Sequence, residues 1–389
     1  MKKITVGIMV FKYPLYEKGS YLQEFVDSMV CRCERVVLIA ALYPDKNFFS
    51  PRNLSIKWIP LFPVPIIGEI FYNLLIFFKG IIYLRDVDVI NVISARPAIV
   101  GFLLGKILNK PVVCTVEIIN EPGNRWFQKE SVINAIQKLI YSLKYDKIIC
   151  WSKYYFYAYL KKWGVGEGTV VIIPSGIDIS RYNPLICGEG IRNNFPPGSF
   201  LIVFAKPMYE YNRKMAELLL LSVKLLDRDL DIRVLLGDGQ QRKMIEDKIK
   251  ILGLGEKISF MPIVPITKIP EYLAAADIIV LPFTYQPTTS RSLLESMAMG
   301  KAIVVTNSGE ITEMLTDGEE ALVVEPEEKA LASAIRRVCF DRELKNKLGR
   351  NARLLVEKSF SIESVADKTL EVYREVICPL VFVERSCNV

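Results

Sequence analysis

The chain contains no histidine in its 389 residues. That removes the side chain that most often serves as a general base near neutral pH and as a metal ligand. It also excludes Ser-His-Asp and Cys-His nucleophilic chemistry outright. Cysteine is sparse and scattered: Cys31, Cys33, Cys114, Cys150, Cys187, Cys339, Cys378 and Cys387 show no spacing that fits a zinc site. Several lie in apolar strand-like runs, where cysteine usually acts as a small core residue, and a reducing cytoplasm is the expected compartment. No secretory leader is expected, because MKKITVGIMVF passes from two lysines straight into alternating strand residues without a small-residue cleavage site. A glycine-rich dinucleotide fingerprint is missing after the first strand, where the chain reads KYPLYEKGSY.

Acidic charge is short in one half only. Residues 1–180 hold 22 Lys+Arg against 14 Asp+Glu, the remainder holds 28 against 29, and the formal charge of +7 therefore lies in the first half. This asymmetry fits a first half that meets something anionic, and equally a mildly basic solvated surface. The longest apolar stretch, GEIFYNLLIFFKGIIYL at 68–84, sits at the lower length limit for crossing a bilayer, and a true span is not expected. On a helix at ~100° per residue, Glu69, Asn73 and Lys79 fall within a sector of roughly 120°. The wide apolar remainder fits a helix packed in a core, or one pressing its face into a membrane surface.

Strand-like runs alternate with helical patterns along the whole chain. The first half gives ITVGIMV, RVVLIAAL, DVINVIS, PVVCTVEII, KIICWS and TVVIIPSG; the second gives FLIVFAK, DIRVLLGDG, ISFMPIV, DIIVLPF, KAIVVTNSG and EALVVEP. Continuous Val/Ile runs spaced by helices indicate parallel sheets covered on both faces. The segment DISRYNPLICGEGIRNNFPPGS, dense in Pro, Gly and Asn, reads as a linker. The expected organisation is α/β, with two Rossmann-like doubly wound parallel-sheet domains over residues 1–178 and 200–362 joined by a linker at 179–199. Ligands in such sheets bind beyond the carboxyl ends of the strands, so a cleft between the domains is the expected site.

Candidate chemistry concentrates in the second half. Lys206 closes the strand FLIVFAK, and Arg213 and Lys214 precede a helix; cations converging at a strand end suit a phosphate. The Gly237–Asp238–Gly239 turn reads as an ordinary strand-to-helix connection. A helix is expected to begin near Ser292 and to end at Gly300, which suits the left-handed C′ position. The backbone N–H groups of Thr288, Thr289, Ser290 and Arg291 offer an anion site at its start. Ser292 and Glu295 also spell a capping box, in which Glu295 simply satisfies its own helix; Arg291 is either a solvated charge or a counter-charge for phosphate. The acidic pairs Asp86/Asp88, Asp227/Asp229 and Asp229/Asp231 lie at a strand entrance and in a helix-to-strand turn, where solvated or turn-forming aspartates are the expected reading, and no metal site is expected. Asn53–Leu54–Ser55 is a glycosylation triplet, which has no meaning without a secretory route.

Taken in order, IIPSGID (172–178), LLGDG (235–239), DIIVLPF, LLESMAMGKAIVVTNSGEITEML (293–315) and DGEEALVVEP (317–326) resemble the signature of glycosyltransferase family 4. The first half follows the pattern more loosely, through Gly19 and DVDVINVIS. The resemblance implies the GT-B fold, with a nucleotide diphosphate sugar held mostly by the second domain, and a final helix within 363–389 that returns to the first. It implies that Lys206 and Lys214 meet the donor diphosphate, with Arg213 an alternative for the second role. Glu295 corresponds to the glutamate that holds the ribose, and Gly19 to the loop over the donor phosphates. The nucleotide base is expected against backbone near Val264. Two positions depart from the family: its first motif glutamate falls on Pro287, and its histidine after PVVCTV falls on Glu117. Gln286 and Glu117 are candidates to make good those losses.

The implied activity is retaining, metal-independent sugar transfer without a cofactor, with Lys206, Lys214 and Glu117 catalytic. Arg213, Thr289, Ser290, Arg291, Glu295, Gly19 and Val264 are implied on the donor. The implied partners are a nucleotide sugar and a glycan or lipid-linked acceptor, with peripheral contact at the inner membrane face and no nucleic acid. A sugar-nucleotide-binding protein without turnover is the alternative that the two departures leave open.

Overall fold

The computed structural model describes residues 3–12, 20–41, 51–60, 65–116, 130–226, 230–284 and 290–378. The chain divides into two compact units, Met1–Ser175 with Val365–Val389 and Gly176–Ser364.

The first unit is built on a seven-stranded sheet. Its strands are β1 (Thr5–Lys12), β2 (Arg35–Ala41), β3 (Leu54–Ile59), β4 (Val89–Ile93), β5 (Val112–Val116), β6 (Lys147–Cys150) and β7 (Val170–Ile172), in spatial order β3-β2-β1-β4-β5-β6-β7 and all parallel. The Val/Ile runs are continuous because β2, β4 and β5 are buried along almost their whole length, as strands covered on both faces must be. β3 is the strand missing from the sequence reading. It lies at the sheet edge, Ser55 and Lys57 interrupt its apolar residues, and its middle positions are only partly buried.

The direction of the crossovers decides which helices share a face. The steps β3 to β4, β4 to β5, β5 to β6 and β6 to β7 all run the same way across the sheet. Right-handed crossovers therefore place their helices on one side: Pro65–Tyr83, Ala98–Leu108, Glu130–Tyr141 and the irregular helical stretch 153–163. Helix Tyr21–Arg32 connects β1 to β2 and takes the other side. There Arg32 pairs with Asp367 at 2.6 Å, on the helix Ile362–Ile377. That helix also supplies a buried polar chain: Thr115 Oγ1 donates to Asn91 Oδ1 (3.0 Å) and Asn91 Nδ2 donates to the Tyr373 hydroxyl (2.6 Å).

Helix Pro65–Tyr83 packs one side into the core and leaves apolar residues exposed on the other. Tyr72 and Ile76 are in the core, while Ile70, Leu74, Phe78 and Ile82 are exposed. Lys79 does not face water but donates to the Trp58 carbonyl at 2.6 Å. Among the described residues no helix is long and apolar enough to cross a membrane.

The second unit carries a six-stranded parallel sheet. Its strands are β8 (Phe200–Phe204), β9 (Ile232–Gly237), β10 (Ile258–Met261), β11 (Ile278–Leu281), β12 (Ala302–Thr306) and β13 (Leu322–Val324), in order β10-β9-β8-β11-β12-β13. The Pro- and Gly-dense segment 179–199, expected as a linker, belongs to this unit. Tyr182 is completely buried in the unit's core, and the short helix Glu189–Arg192 packs on helix Ile269–Ala275. The composition signalled turns, and the turns are packed.

Candidate functional site

In the second sheet the strand order reverses between β8 and β11. Connections leave these two strands in opposite directions, which opens a crevice at their carboxyl ends. Lys206 follows β8 there, and the loop after β11 leads to helix Arg291–Ala298.

The loop that carries Lys206 is held by the Gly-Asp-Gly turn. A Cβ on Gly237 would lie 2.0 Å from the Lys206 carbonyl oxygen, a distance no side chain tolerates. Met208 N–H donates to the Asp238 carbonyl, and Gln241 N–H donates to the Met208 carbonyl, both at 2.9 Å. The turn therefore has a second task beyond starting a helix: it buttresses the backbone that presents the lysine. The Lys206 ammonium sits 5.3 Å from the centre of the Phe283 ring, which is fully buried. Desolvation lowers the lysine's pKa to about 8, opposed by attraction to the Glu295 carboxylate.

Glu295 is 7% exposed. Its Oε1 accepts from the Tyr182 hydroxyl at 2.8 Å and from Arg291 Nε at 3.1 Å, and Oε2 carries no bond from a described residue. Burial raises the carboxyl pKa, against the opposing pull of the Arg291 charge, the Tyr182 hydrogen bond and the Lys206 charge. The capping-box reading is thereby corrected. The helix starts at Arg291 with Ser290 as N-cap, Ser290 Oγ lies 3.0 Å from Ser292 Oγ, and Glu295 accepts from the side chains of Tyr182 and Arg291 instead of from a backbone N–H at the helix start. Arg291 is accordingly a partner of Glu295 and not a solvated charge.

The structure thus brings Lys206, Arg291 and Glu295 into one electrostatic group, with Ser290 at the head of the same helix. It adds Tyr182, which sequence reasoning missed because its neighbours spell a linker. The available signal was a single tyrosine among turn residues. Arg213 lies on helix Glu210–Lys224 beside two glutamates. Its guanidinium meets Glu217 at 2.9 Å and Glu210 at 3.4 Å, while its buried Nε has no hydrogen-bond partner among the described residues. Lys214, next to it, is exposed. Val264 follows edge strand β10 and packs partly against the core. Gly19, Glu117, Gln286, Pro287 and Thr289 lie outside the described residues. Two of the acidic pairs have structural partners: Asp88 accepts from the Thr5 N–H at 2.7 Å, and Asp231 pairs with Arg233 at 2.9 Å.

A desolvated cation at a strand end attracts phosphate oxygens strongly, because little water competes for it. A buried carboxylate with one oxygen unbonded among the described residues accepts a hydroxyl. Together they suit a ligand with phosphate at one end and a sugar hydroxyl at the other.

Two Rossmann-like parallel sheets in one chain define the GT-B architecture. Solved structures share it across nearly the whole chain. Sucrose-phosphate synthase from Thermosynechococcus elongatus superposes with a TM-score of 0.79 at 19% identity, covering 97% of this chain and 100% of that one. HepE of Anabaena, crystallised in complex with UDP, gives 0.75 at 16% identity, covering 96% and 100%. Two family models match, Glycosyltransferase Family 4 over residues 19–181 and Glycosyl transferases group 1 over 192–355. The chain belongs to the group 1 glycosyltransferases of glycosyltransferase family 4. Its curated relatives are distant. The putative glycosyltransferase YtcC of Bacillus subtilis is 26% identical over 237 residues, 57% of this chain and 58% of that protein. The alpha-D-kanosaminyltransferase of Streptomyces kanamyceticus is 27% identical over 144 residues, 37% of each. The chain therefore spans less than two thirds of the length of either relative.

Proposed function

We propose that this protein transfers a sugar from a nucleotide diphosphate sugar to an acceptor hydroxyl. The observation that carries the reading is the desolvated Lys206 beside the buried Glu295 at the switch point of the second sheet. HepE, which shares the fold, was crystallised with UDP and with UDP-glucose. In this reading Lys206 and the exposed Lys214 hold the diphosphate, with N–H groups at Thr289, Ser290 and Arg291. Gly19 lies over the phosphates, Glu295 Oε2 takes the ribose hydroxyls, and backbone near Val264 takes the base.

Transfer proceeds with retention and without a metal. The bond from the anomeric carbon to the phosphate oxygen breaks, and the acceptor oxygen bonds the anomeric carbon on the same face. The leaving phosphate takes the acceptor proton, so the reaction needs no histidine. Lys206 and Lys214 stabilise the charge that develops on the diphosphate, and Glu117 is the third residue assigned a catalytic role. The acceptor is a glycan precursor or a lipid-linked sugar at the cytoplasmic membrane face.

Thermal unfolding with UDP, GDP, ADP and their sugar forms tests the donor half. A ligand at a hundred times its dissociation constant adds about 2.7 kcal/mol of stability. A shift with one nucleotide, lost in Glu295→Gln and Lys206→Met, is the expected result. A second reading, donor binding without turnover, is favoured by Pro287 at the family's first motif glutamate; it gains the lead if donor is bound but never consumed with any acceptor. No shift with any nucleotide sinks both.

A further inference from the structure

The outer helical layer of the first unit is wider and more apolar on its solvent side than the helix at 65–83 alone. Every large hydrophobic residue of this unit that is exposed among the described residues lies on its four segments, Pro65–Tyr83, Ala98–Leu108, Glu130–Tyr141 and 153–163. On the first, Leu74, Phe78 and Ile82 recur every fourth residue at 51–67% exposure. The neighbouring helix, packed beside it, continues the stripe with Leu103 and Ile107, and the third adds Leu139. A monomer seldom leaves so continuous an apolar face to water.

The charge on these segments is one-sided: Lys106, Lys138, Lys153, Lys161 and Lys162 are exposed, Lys79 is turned to the Trp58 carbonyl, and the acidic residues of the segments are Glu69 and Glu130. Two of the exposed lysines lie over aromatic rings, Lys106 at 5.5 Å from the Phe102 ring centre and Lys161 at 4.8 Å from that of Tyr157. Lys161 also meets Glu167 at 2.8 Å. The fourth segment, SKYYFYAYLKKW at 152–163, interleaves lysine with tyrosine and tryptophan, residues that favour the boundary between hydrocarbon and water. Lysine is depleted from the centres of protein–protein interfaces, whereas apolar helices flanked by lysine suit an anionic lipid surface.

We infer that this four-helix face docks the protein on an anionic bilayer surface. The inference deepens the proposed function, since it makes lipid the carrier of the acceptor, but its test reads binding and not transfer. Purified full-length protein is floated with vesicles of phosphatidylcholine alone and of phosphatidylcholine with phosphatidylglycerol. The nucleotide-induced thermal shift of each variant is followed in parallel, so that folding and the donor site are scored separately. Expected is flotation with the anionic vesicles, weakened by salt and abolished in Leu74→Gln/Phe78→Gln/Leu103→Gln. In Lys161→Glu/Lys162→Glu it should weaken by about tenfold or more, because each lysine near the surface contributes several-fold. Absence of flotation with either vesicle overturns the inference, as does equal flotation on both. A dimer by light scattering that the apolar triple variant dissolves also overturns it and assigns the face to a second copy of this chain.

Discussion

Lys206 is the residue on which pH should act. In the folded chain its pKa is lowered from 10.5 to about 8 by desolvation. The unfolded chain therefore binds more protons between those values, and this residue makes stability rise with pH across that window. Nucleotide binding works in the opposite sense, because phosphate favours the ammonium form. Calorimetric titration with UDP at pH 8 in two buffers of different ionisation enthalpy is expected to show proton uptake, and affinity should fall as pH rises above about 8. Lys206→Met should abolish the uptake. Tyr182 acts on the same site through Glu295. Tyr182→Phe keeps the buried ring but removes a hydrogen bond to a carboxylate, worth about 1.5–3 kcal/mol. Weaker nucleotide binding measured by calorimetry is expected, together with a lower urea midpoint.

Among the elements, the turn after β9 matters more than its length suggests. It fixes the loop after β8 by backbone hydrogen bonds and by an approach that only glycine permits at Gly237. Gly237→Ala forces backbone against backbone, which a flexible side chain cannot relieve, and such overpacking costs about 1–3 kcal/mol. Chemical denaturation should report that loss, and the nucleotide-dependent thermal shift should shrink because Lys206 is displaced. The strands themselves were legible because parallel strands buried on both faces leave unbroken Val/Ile runs. β3 escaped notice because an edge strand mixes polar residues into its short run.

For the whole molecule, the end of the chain is part of the first unit. Val365, Ala366, Leu370, Val372 and Tyr373 are all buried, and Tyr373 closes the polar chain through Asn91 to Thr115. Removing residues 365–389 strips these side chains, of which Val365, Leu370 and Val372 are each worth about 1.5–3 kcal/mol of burial, from a unit whose total stability is of the order of 5–15 kcal/mol. The truncated protein is expected to lose the first unit's cooperative unfolding while the second unit's transition survives. Limited proteolysis with mass analysis distinguishes the two, since the cleavage sites should fall within residues 1–175.

By itself the sequence determined the two parallel α/β sheets and the family, and it singled out Lys206 and Glu295 as candidates, because hydrophobic runs and ordered motifs are local properties that survive without a fold. The partners of those residues were settled only by tertiary structure. Tyr182 stands 113 positions from the carboxylate it holds, and it lay hidden in a segment whose composition reads as free chain. Arg213 reads from sequence as a lone cation, and only the helix shows the two glutamates beside it. The apolar stripe at 68–84 was visible from the start, but its continuation onto two more helices depends on strand order and crossover handedness, which no local pattern encodes.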